Sequence, residues 1–328
     1  MSVILSRAPL RISLGGGGTD LPSYYTKHEG FVLAGAIDKY VYMLIHDIFQ
    51  RRYRMKYSAI EEVDTPAEIQ HPILREVLVR HWDGNPLEIA SVADVPAGTG
   101  LGSSGTFTVC LLRGLAYARR TTIAPGPLAE AACAIEIDVL KDPVGKQDQY
   151  VAAHGGICGY TFKRDGSVDI ESLALSKRTL RHLKDQLLLF YTGLARSASQ
   201  VLSDQDQRSL SNDPAMIDNL HFTKELGWKS RDLLVGGDIE AYAELMHEHW
   251  MHKKKRSSGM ANERIDFLYD LARSNGVIGG KLVGAGGGGF LLVYSARPEE
   301  TRRAMEREGA QELPFDFEFG GAYASEYT

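Results

Sequence analysis

The segment VADVPAGTGLGSSGTFTVCLLRGLAYA, residues 92–118, combines residue types and spacings suited to chemistry. A strand-like stretch ends at Asp94, and an apolar helical pattern begins about twelve residues later. The loop between them contains four glycines, Gly98, Gly100, Gly102 and Gly105. Such a loop can point free backbone amides at one place, at the positive end of the helix dipole. With the hydroxyls of Ser103 and Ser104, the pattern predicts an anion site.

Other glycine-rich phosphate loops fit this segment less well. Residues 100–105 match Gly-x-Gly-x-x-Gly, but no second strand ending in an acidic residue follows about twenty positions later, as a dinucleotide-binding fold requires. A Walker loop needs Gly-Lys-Ser/Thr, and Gly105 is followed by Thr106 without a lysine. A loop that only packs the helix on the strand remains an alternative.

Four carboxylates follow in AIEIDVLKDPVGKQDQYVAAHGG, namely Glu136, Asp138, Asp142 and Asp148. Mg²⁺ prefers hard oxygen ligands and is usually held by one or two carboxylates together with phosphate oxygens. Glu136 is predicted inside a helix, whereas Asp148 follows a break at Asp142-Pro143. Two carboxylates separated by such a break can reach one site from two directions. Solvated surface positions are the alternative for each of the four acids.

Two further glycine runs are LGGGGTDL, residues 14–21, and KLVGAGGGGF, residues 281–290. Flexible linkers or tight turns are ordinary interpretations of such runs. The first run lies between an extended apolar stretch and LPSYY, which places it at a corner inside a domain.

The segment AELMHEHWMHKKKRSSGM, residues 243–260, is the dense basic cluster of the chain. If it is helical, Trp250 lies on an apolar face, while His249, Lys253 and Arg256 share another face. That second face could bind a phosphate. The alternative is a solvated helix C-terminus, where cations suit the dipole. Zinc is not favoured, because no cysteine or carboxylate ligand set accompanies the histidines.

The composition is that of an ordinary globular protein of about two domains, with 328 residues, 44% of them hydrophobic and 24% charged. A net charge of -5 argues against nucleic acid and anionic membrane surfaces as partners. The longest uncharged run, residues 95–112, is rich in Gly, Ser and Thr and does not predict a membrane span. Three cysteines without a C-x-x-C pair, and no secretory signal, predict a cytoplasmic protein.

Hydrophobic periodicity predicts strands followed by helices, which indicates an α+β fold. Strands are predicted at 2–14, 31–45, 51–57, 87–94, 157–162, 185–193 and 315–319, and on both sides of the third glycine run. Helices are predicted at 70–81, 106–119, 128–140 and 298–308, and in three or four segments after residue 193. The polar stretch from Ser176 to Lys184 is the predicted boundary between domains 1–180 and 181–328.

Three motifs in this order resemble the GHMP kinases: RAPLRISLGGGGTD, PAGTGLGSSGTF and KLVGAGGGGF. Within that family, residues 7–25 resemble the branch that acts on D-glycero-D-manno-heptose 7-phosphate. The resemblance implies a two-domain fold, with an N-terminal domain that is ribosomal protein S5 domain 2-like and a ferredoxin-like C-terminal α/β sandwich with extra helices. It also implies that ATP and Mg²⁺ are bound.

The resemblance assigns roles to individual residues. The ATP phosphates would be bound by Pro96, Gly98, Gly100, Leu101, Gly102, Ser103, Ser104 and Gly105. Ser104 and Glu136 would hold Mg²⁺, Asp148 would be the catalytic carboxylate, and Arg11 would stabilise it and the transferring phosphoryl group. Sugar contacts would come from Gly17, Gly18, Thr19, Asp20, Gly286 and Gly287, and a second phosphate would be bound by His249, Lys253 and Arg256.

The implied activity is phosphorylation of the anomeric hydroxyl of the heptose 7-phosphate, for nucleotide-activated heptose and surface polysaccharide synthesis. Galactokinases carry Glu-His at the positions of Gly17 and Gly18, so the sequence departs from that branch where the sugar is recognised. Bare glycines there leave room for a larger sugar. The alternatives are a kinase for an unphosphorylated sugar such as fucose, and a noncatalytic sensor of sugar or nucleotide.

Overall fold

The computed structural model describes residues 2–194, 198–257 and 259–327, and its strands form two sheets. The strands of the first sheet are β1 (Val3–Gly16), β2 (Gly30–Asp47), β3 (Tyr53–Lys56), β4 (Ile60–Val63), β5 (Leu87–Ala93), β6 (Ile157–Phe162), β7 (Val168–Ser172) and β12 (Tyr323–Tyr327). Their order is β12-β1-β2-β5-β3-β4, and β6 pairs with β2 and β7. The pairing of β3 with β5 is parallel, and the other pairings are antiparallel.

Five helices accompany this sheet: α1 (Pro22–His28), α2 (Pro72–His81), α3 (Ser103–Ala118), α4 (Pro125–Cys133) and α5 (Gln147–His154). The buried, largely apolar α3 packs against β1 and β2. It begins at Ser103, three residues before the predicted start. The helix predicted over 128–140 ends at Cys133 and continues as a π-helical turn, Ala134–Val139. Such turns often occur at functional sites, and this one contains Glu136.

The second sheet consists of β8 (Leu187–Tyr191), β9 (Val277–Leu282), β10 (Phe290–Ser295) and β11 (Gln311–Glu312). These strands are antiparallel in the order β11-β8-β10-β9. The accompanying helices are α6 (Lys177–Gln186), α7 (Ala198–Leu210), α8 (Pro214–Gly236), α9 (Ile239–Lys254), α10 (Glu263–Ser274) and α11 (Pro298–Arg307). In the described ranges, no helix has the length and apolar character needed to cross a membrane.

The strand β8 shows how the two sheets share one interior. Leu187 and Leu189 lie in the core that continues into the first sheet, whereas Leu188 and Phe190 lie in a second core with Trp250. This follows from the period of two along a strand, which sends successive side chains to opposite faces. The second sheet is therefore covered on both faces, and the α+β prediction is confirmed.

Two further predictions differ from the observed structure. The polar stretch from Ser176 is helix α6, because the Ser176 hydroxyl caps the amide of Thr179 at 3.0 Å. The predicted strand at 315–319 forms only a single bridge, between Phe317 and Ile37 of β2, because that edge of β2 pairs with β6 up to Gly35 and with β5 from Val41 onward. The strand that does form near the C-terminus, β12, pairs with β1 of the first sheet. The domain boundary near residue 180 stays a prediction.

Candidate active site

A cavity of about 950 Å³ is lined by residues from both halves of the chain. Its walls come from β1, the loop before α3, the loop before α5, the end of α9 and the loop after β9. A volume of this size is at the upper end of the range for small-molecule sites.

The loop predicted to bind phosphate faces this cavity and leads into α3. Gly98, Gly100 and Gly102 have φ angles of +77°, +86° and +80°, which glycine adopts without strain. Gly102 is the N-cap residue of α3 and offers no side chain to the amides of the first turn. These amides remain available to an anionic ligand at the positive end of the helix.

The third glycine run packs directly on this loop. A Cβ atom on Gly284 would lie 2.6 Å from the Cα of Gly100, and one on Gly289 would lie 2.2 Å from the carbonyl oxygen of Thr99. Gly100 in turn approaches the carbonyl of Val283, where a Cβ atom would lie 2.7 Å from the oxygen. The two loops therefore meet backbone to backbone, and the glycines permit this approach.

We expect Gly284→Ala to lower both stability and nucleotide affinity, because the new Cβ would displace the backbone of Gly100 and because the φ of Gly284 is +78°. Strain of this kind costs roughly 1–3 kcal/mol. Urea unfolding and the KM for ATP measure the two effects. Gly236→Ala is the matched control, since Gly236 lies at an exposed helix end with nothing within 4 Å of its Cβ position. Equal stability of the two variants would contradict the proposed backbone contact.

Asp148 and Arg11 form an ion pair in the cavity wall. Arg11 Nε and Nη2 each lie 2.7 Å from Asp148 Oδ1, and Arg11 Nη1 donates to the carbonyl of Gly100. A Cβ atom on Gly102 would lie 3.2 Å from Asp148 Oδ2, so the phosphate loop packs against the carboxylate. Within the described ranges, no protein donor contacts Oδ2. One carboxylate oxygen is therefore fixed by Arg11, and the other is free for a ligand hydroxyl.

Ser104 and Glu136 lie next to each other at the start of α3. The Ser104 hydroxyl donates to Glu136 Oε2 at 2.6 Å, and Gln149 Nε2 donates to Glu136 Oε1 at 3.0 Å. Burial raises the pKa of Glu136 to about 7. Ser104 lines the cavity and Glu136 lies behind it, fully buried. A hydroxyl and a carboxylate so placed fit Mg²⁺ bound to ATP, because Mg²⁺ takes few protein ligands and completes its shell with phosphate oxygens and water.

The first glycine run connects β1 to Asp20 and is closely packed on both sides. A Cβ atom on Gly16 would lie 2.5 Å from the carbonyl oxygen of Phe31, and one on Gly18 would lie 2.6 Å from Arg256 Nη1. The Asp20 carboxylate accepts hydrogen bonds from the amides of Gly18 and Gln147, at 3.1 and 3.3 Å. Burial raises the pKa of Asp20, and nearby Asp148 adds to this effect. The glycines thus serve close packing and also line the cavity.

Three basic side chains of residues 243–260, those predicted to bind a second phosphate, are buried, so the solvated alternative does not hold for them. His249, Lys253 and Arg256 are 2%, 8% and 4% exposed. They adjoin Lys281 of β9, which is 2% exposed and which the sequence analysis did not single out. Lys253, Arg256 and Lys281 line the cavity, whereas His249 lies behind them.

Beyond the phosphate loop, the cavity extends over an aromatic region missed from the sequence. His71 stacks on Phe107 with ring centroids 5.0 Å apart, and Tyr57 meets His71 edge-on at 4.8 Å. All three line the cavity together with Ile73 and Val95. They come from separate elements, and no motif connects them in the sequence. Such a flat apolar wall suits a planar ring.

Most predicted site residues line the same cavity. Those that do are Arg11, Gly17, Gly18, Asp20, Pro96, Gly98, Gly100, Gly102, Ser103, Ser104, Asp148, Lys253 and Arg256. Those outside its lining are Thr19, Leu101, Gly105, Glu136, His249, Gly286 and Gly287.

Several of the residues outside the lining have identifiable structural contacts. Thr19 donates its hydroxyl to the carbonyl of Phe31 at 2.9 Å. The Gly286 backbone packs on Met260, and Gly287 donates its amide to the Met260 carbonyl at 3.0 Å. The glycine-loop residues that do reach the cavity are Gly284 and Ala285. Thr19, Gly286 and Gly287 thus lie outside the cavity lining, and their sugar contacts stay predictions.

Comparison with known sequences gives matches in both halves of the chain. Residues 72–156 match the model of the GHMP kinases N terminal domain, and residues 230–311 match that of the GHMP kinases C terminal. A D-glycero-alpha-D-manno-heptose 7-phosphate kinase from Campylobacter jejuni is 27% identical over 97% of each chain. A bifunctional fucokinase/GDP-fucose pyrophosphorylase from Arabidopsis thaliana is 26% identical over 91% of this chain and 30% of its own length.

Solved structures show the same fold. A D-glycero-D-manno-heptose 1-phosphate kinase from Bacteroides thetaiotaomicron superposes with a TM-score of 0.82, at 24% identity and 99% coverage of both chains. A galactokinase from Lactococcus lactis complexed with galactose superposes with a TM-score of 0.77, at 16% identity, covering 99% of this chain and 95% of its own.

Proposed function

This chain belongs to the GHMP kinase family, and we propose that it transfers the γ-phosphoryl group of ATP to the anomeric hydroxyl of a heptose 7-phosphate. The observation that carries the phosphoryl-transfer step is the Asp148–Arg11 ion pair packed against Gly102 of the phosphate loop. A sugar hydroxyl at the free Oδ2 of Asp148 would lie next to phosphate groups bound by the loop amides. The product would be the 1,7-bisphosphate.

The proposed mechanism depends on positioning and charge, as phosphoryl transfer requires. Asp148 orients the acceptor hydroxyl and takes up its proton as the new oxygen–phosphorus bond forms. Arg11 holds Asp148 in place and supplies positive charge beside the loop. The amides at the start of α3 bind phosphate oxygens. Mg²⁺ that arrives with ATP would be held by Ser104 and Glu136 and would neutralise charge on the phosphates.

Two observations support a phosphorylated heptose as acceptor. The Campylobacter jejuni relative that matches 97% of this chain is named as a heptose 7-phosphate kinase. The cavity is also lined by Lys253, Arg256 and Lys281, more positive charge than a neutral sugar requires. Glycines at 17 and 18 leave backbone rather than side chains facing the sugar.

We expect Mg·ATP turnover with D-glycero-D-manno-heptose 7-phosphate and little turnover with free heptose, fucose, galactose or mevalonate. The purified protein is assayed for ADP release against this panel, and phosphorus NMR locates the new phosphate. A phosphoryl group at the anomeric position supports the proposal. Turnover with fucose alone would replace it with the fucose kinase alternative, for which the Arabidopsis thaliana relative is the precedent. Lack of ADP release with every sugar would favour the noncatalytic sensor.

A further inference from the structure

Lys281 presents a buried ammonium group to the cavity. Its Nζ donates to Ser13 Oγ at 3.2 Å and lies 3.5 Å from His249 Nδ1. Ser13 also lines the cavity, and it belongs to β1, two residues beyond Arg11. Among the ion pairs of the described residues, none joins Lys281 to a carboxylate. A buried charge usually has a partner, so this ammonium group is suited to an anionic ligand.

The neighbouring cations are already committed to protein acceptors. Lys253 Nζ donates to the carbonyls of Leu282 and Gly284, at 2.9 and 2.6 Å, and so fixes the start of the third glycine run. Arg256 donates through all three nitrogens, and its acceptors are the Asn219 and Gln205 side chains, the Thr223 hydroxyl and the carbonyl of Gly17. These two side chains shape the cavity wall. Lys281 has only longer side-chain contacts, to Ser13 at 3.2 Å and His249 at 3.5 Å, and so keeps more donor capacity for a ligand.

We propose that Lys281, with Ser13, binds the phosphate group that the acceptor sugar already carries. This assignment rests on the proposed function and refines it, because it moves the decisive contact from His249, Lys253 and Arg256 to Lys281. Lys253 and Arg256 add positive charge nearby, and His249 supports the Lys281 side chain from behind.

The position of Ser13 separates this subsite from the reacting centre. Residues i and i+2 of a strand share one face and lie roughly 7 Å apart, at about 3.3 Å per residue. Arg11 contacts Asp148, and Ser13 contacts Lys281. The proposed position of the acceptor hydroxyl, at Asp148, and that of the sugar phosphate, at Lys281, are therefore displaced along β1 by about that distance. A sugar ring fits between them with its anomeric hydroxyl at Asp148 and its phosphate at Lys281.

The electrostatics around Lys281 agree with this geometry. Burial, together with the charges of Arg11 and Arg256, lowers the pKa of Lys281 to about 7. The other groups facing this cluster are Lys253 and His249 from α9, whose own pKa values burial also lowers. A bound phosphate dianion would raise the pKa of Lys281 again, because it stabilises the protonated amine. Phosphate affinity should therefore fall as the pH rises above about 7.

The test compares Lys281→Met with wild type and with Lys255→Met, an exposed lysine outside the cavity lining. Inorganic phosphate is titrated calorimetrically into each protein saturated with Mg²⁺ and a non-hydrolysable ATP analogue, which occupies the phosphate loop. We expect Lys281→Met to weaken phosphate binding by about 10- to 100-fold, the loss of one hydrogen bond to a charged group. Lys255→Met should bind like wild type. Equal affinity in Lys281→Met and wild type would overturn the assignment.

Kinetics separate this assignment from the proposed function. With heptose 7-phosphate, Lys281→Met should raise the sugar KM by a similar factor and leave the KM for ATP unchanged, and Lys281→Arg should recover part of the loss. A fall in kcat with an increased KM for ATP would place Lys281 on the transferring phosphoryl group and overturn the assignment. If no sugar phosphate is turned over, the proposed function fails, and the phosphate titration with its pH dependence still decides the role of Lys281.

Discussion

Asp148→Asn should lower kcat for the phosphorylated acceptor by about 10³-fold, within the range attributed to a positioned general base. The asparagine side chain keeps the size of the carboxylate but cannot take up the hydroxyl proton. It also replaces the charged partner of Arg11, which lies 2.7 Å away. Steady-state turnover measured by ADP release checks this prediction.

The nucleotide site should survive this change, because Asp148 contacts the phosphate loop only through packing against Gly102 and Gly105. Binding of a fluorescent ATP analogue to Asp148→Asn should match that of wild type. Asp138→Asn, an exposed acid in the preceding segment, serves as control and should keep full turnover. Near-normal kcat in Asp148→Asn would remove the proposed mechanism, whatever the substrate.

Glu136→Gln should have the second largest effect, on the use of Mg·ATP. The amide keeps the shape of the carboxylate, and its oxygen can accept from Gln149 while its NH2 donates to the Ser104 hydroxyl, but the charge offered to Mg²⁺ is removed. The Mg²⁺ concentration for half-maximal turnover should rise at least 10- to 100-fold, the range produced even by loss of indirect metal partners. Turnover measured over a Mg²⁺ titration at fixed ATP gives this value. An unchanged Mg²⁺ requirement would assign Glu136 to helix packing only.

The same variant should be more stable than wild type at pH 8 when divalent cations are absent. Burial raises the pKa of Glu136 from its ordinary value near 4.5 to about 7. Between these values the folded chain holds a proton that the unfolded chain has lost, so the stability contributed by this group falls as the pH rises. Above pH 7 the full cost of the buried charge remains, and glutamine avoids it. Thermal unfolding in a chelator at pH 5 and pH 8 checks the sign, with a gain at pH 8 only.

The parts of the candidate site that could be predicted from the residues alone are local in the chain. Gly98, Gly102 and Ser104 lie within seven residues, and the amides of a glycine loop reach an anion as soon as the next helix begins. The start of α3 and its anion site could therefore be predicted without knowledge of distant segments. Asp148 and Arg11 came from the resemblance to known kinases, because no local pattern joins residues 137 positions apart.

The tertiary structure alone decided how the basic cluster is used. Helical periodicity placed His249, Lys253 and Arg256 on one face, but periodicity gives no information on whether a face is covered. The second sheet covers that face and brings in Lys281, which pairs with Ser13 from 268 positions away.

The sequence by itself determined the α+β class and the glycine loop that leads into α3, because these follow from periodicity and from short-range backbone geometry. The structure decided which glycines line the cavity, which sheet the last strand joins, and that Lys281 is buried without a carboxylate partner among the described residues. Each of these depends on burial and on contacts between distant segments, and those are set only when the two sheets pack together.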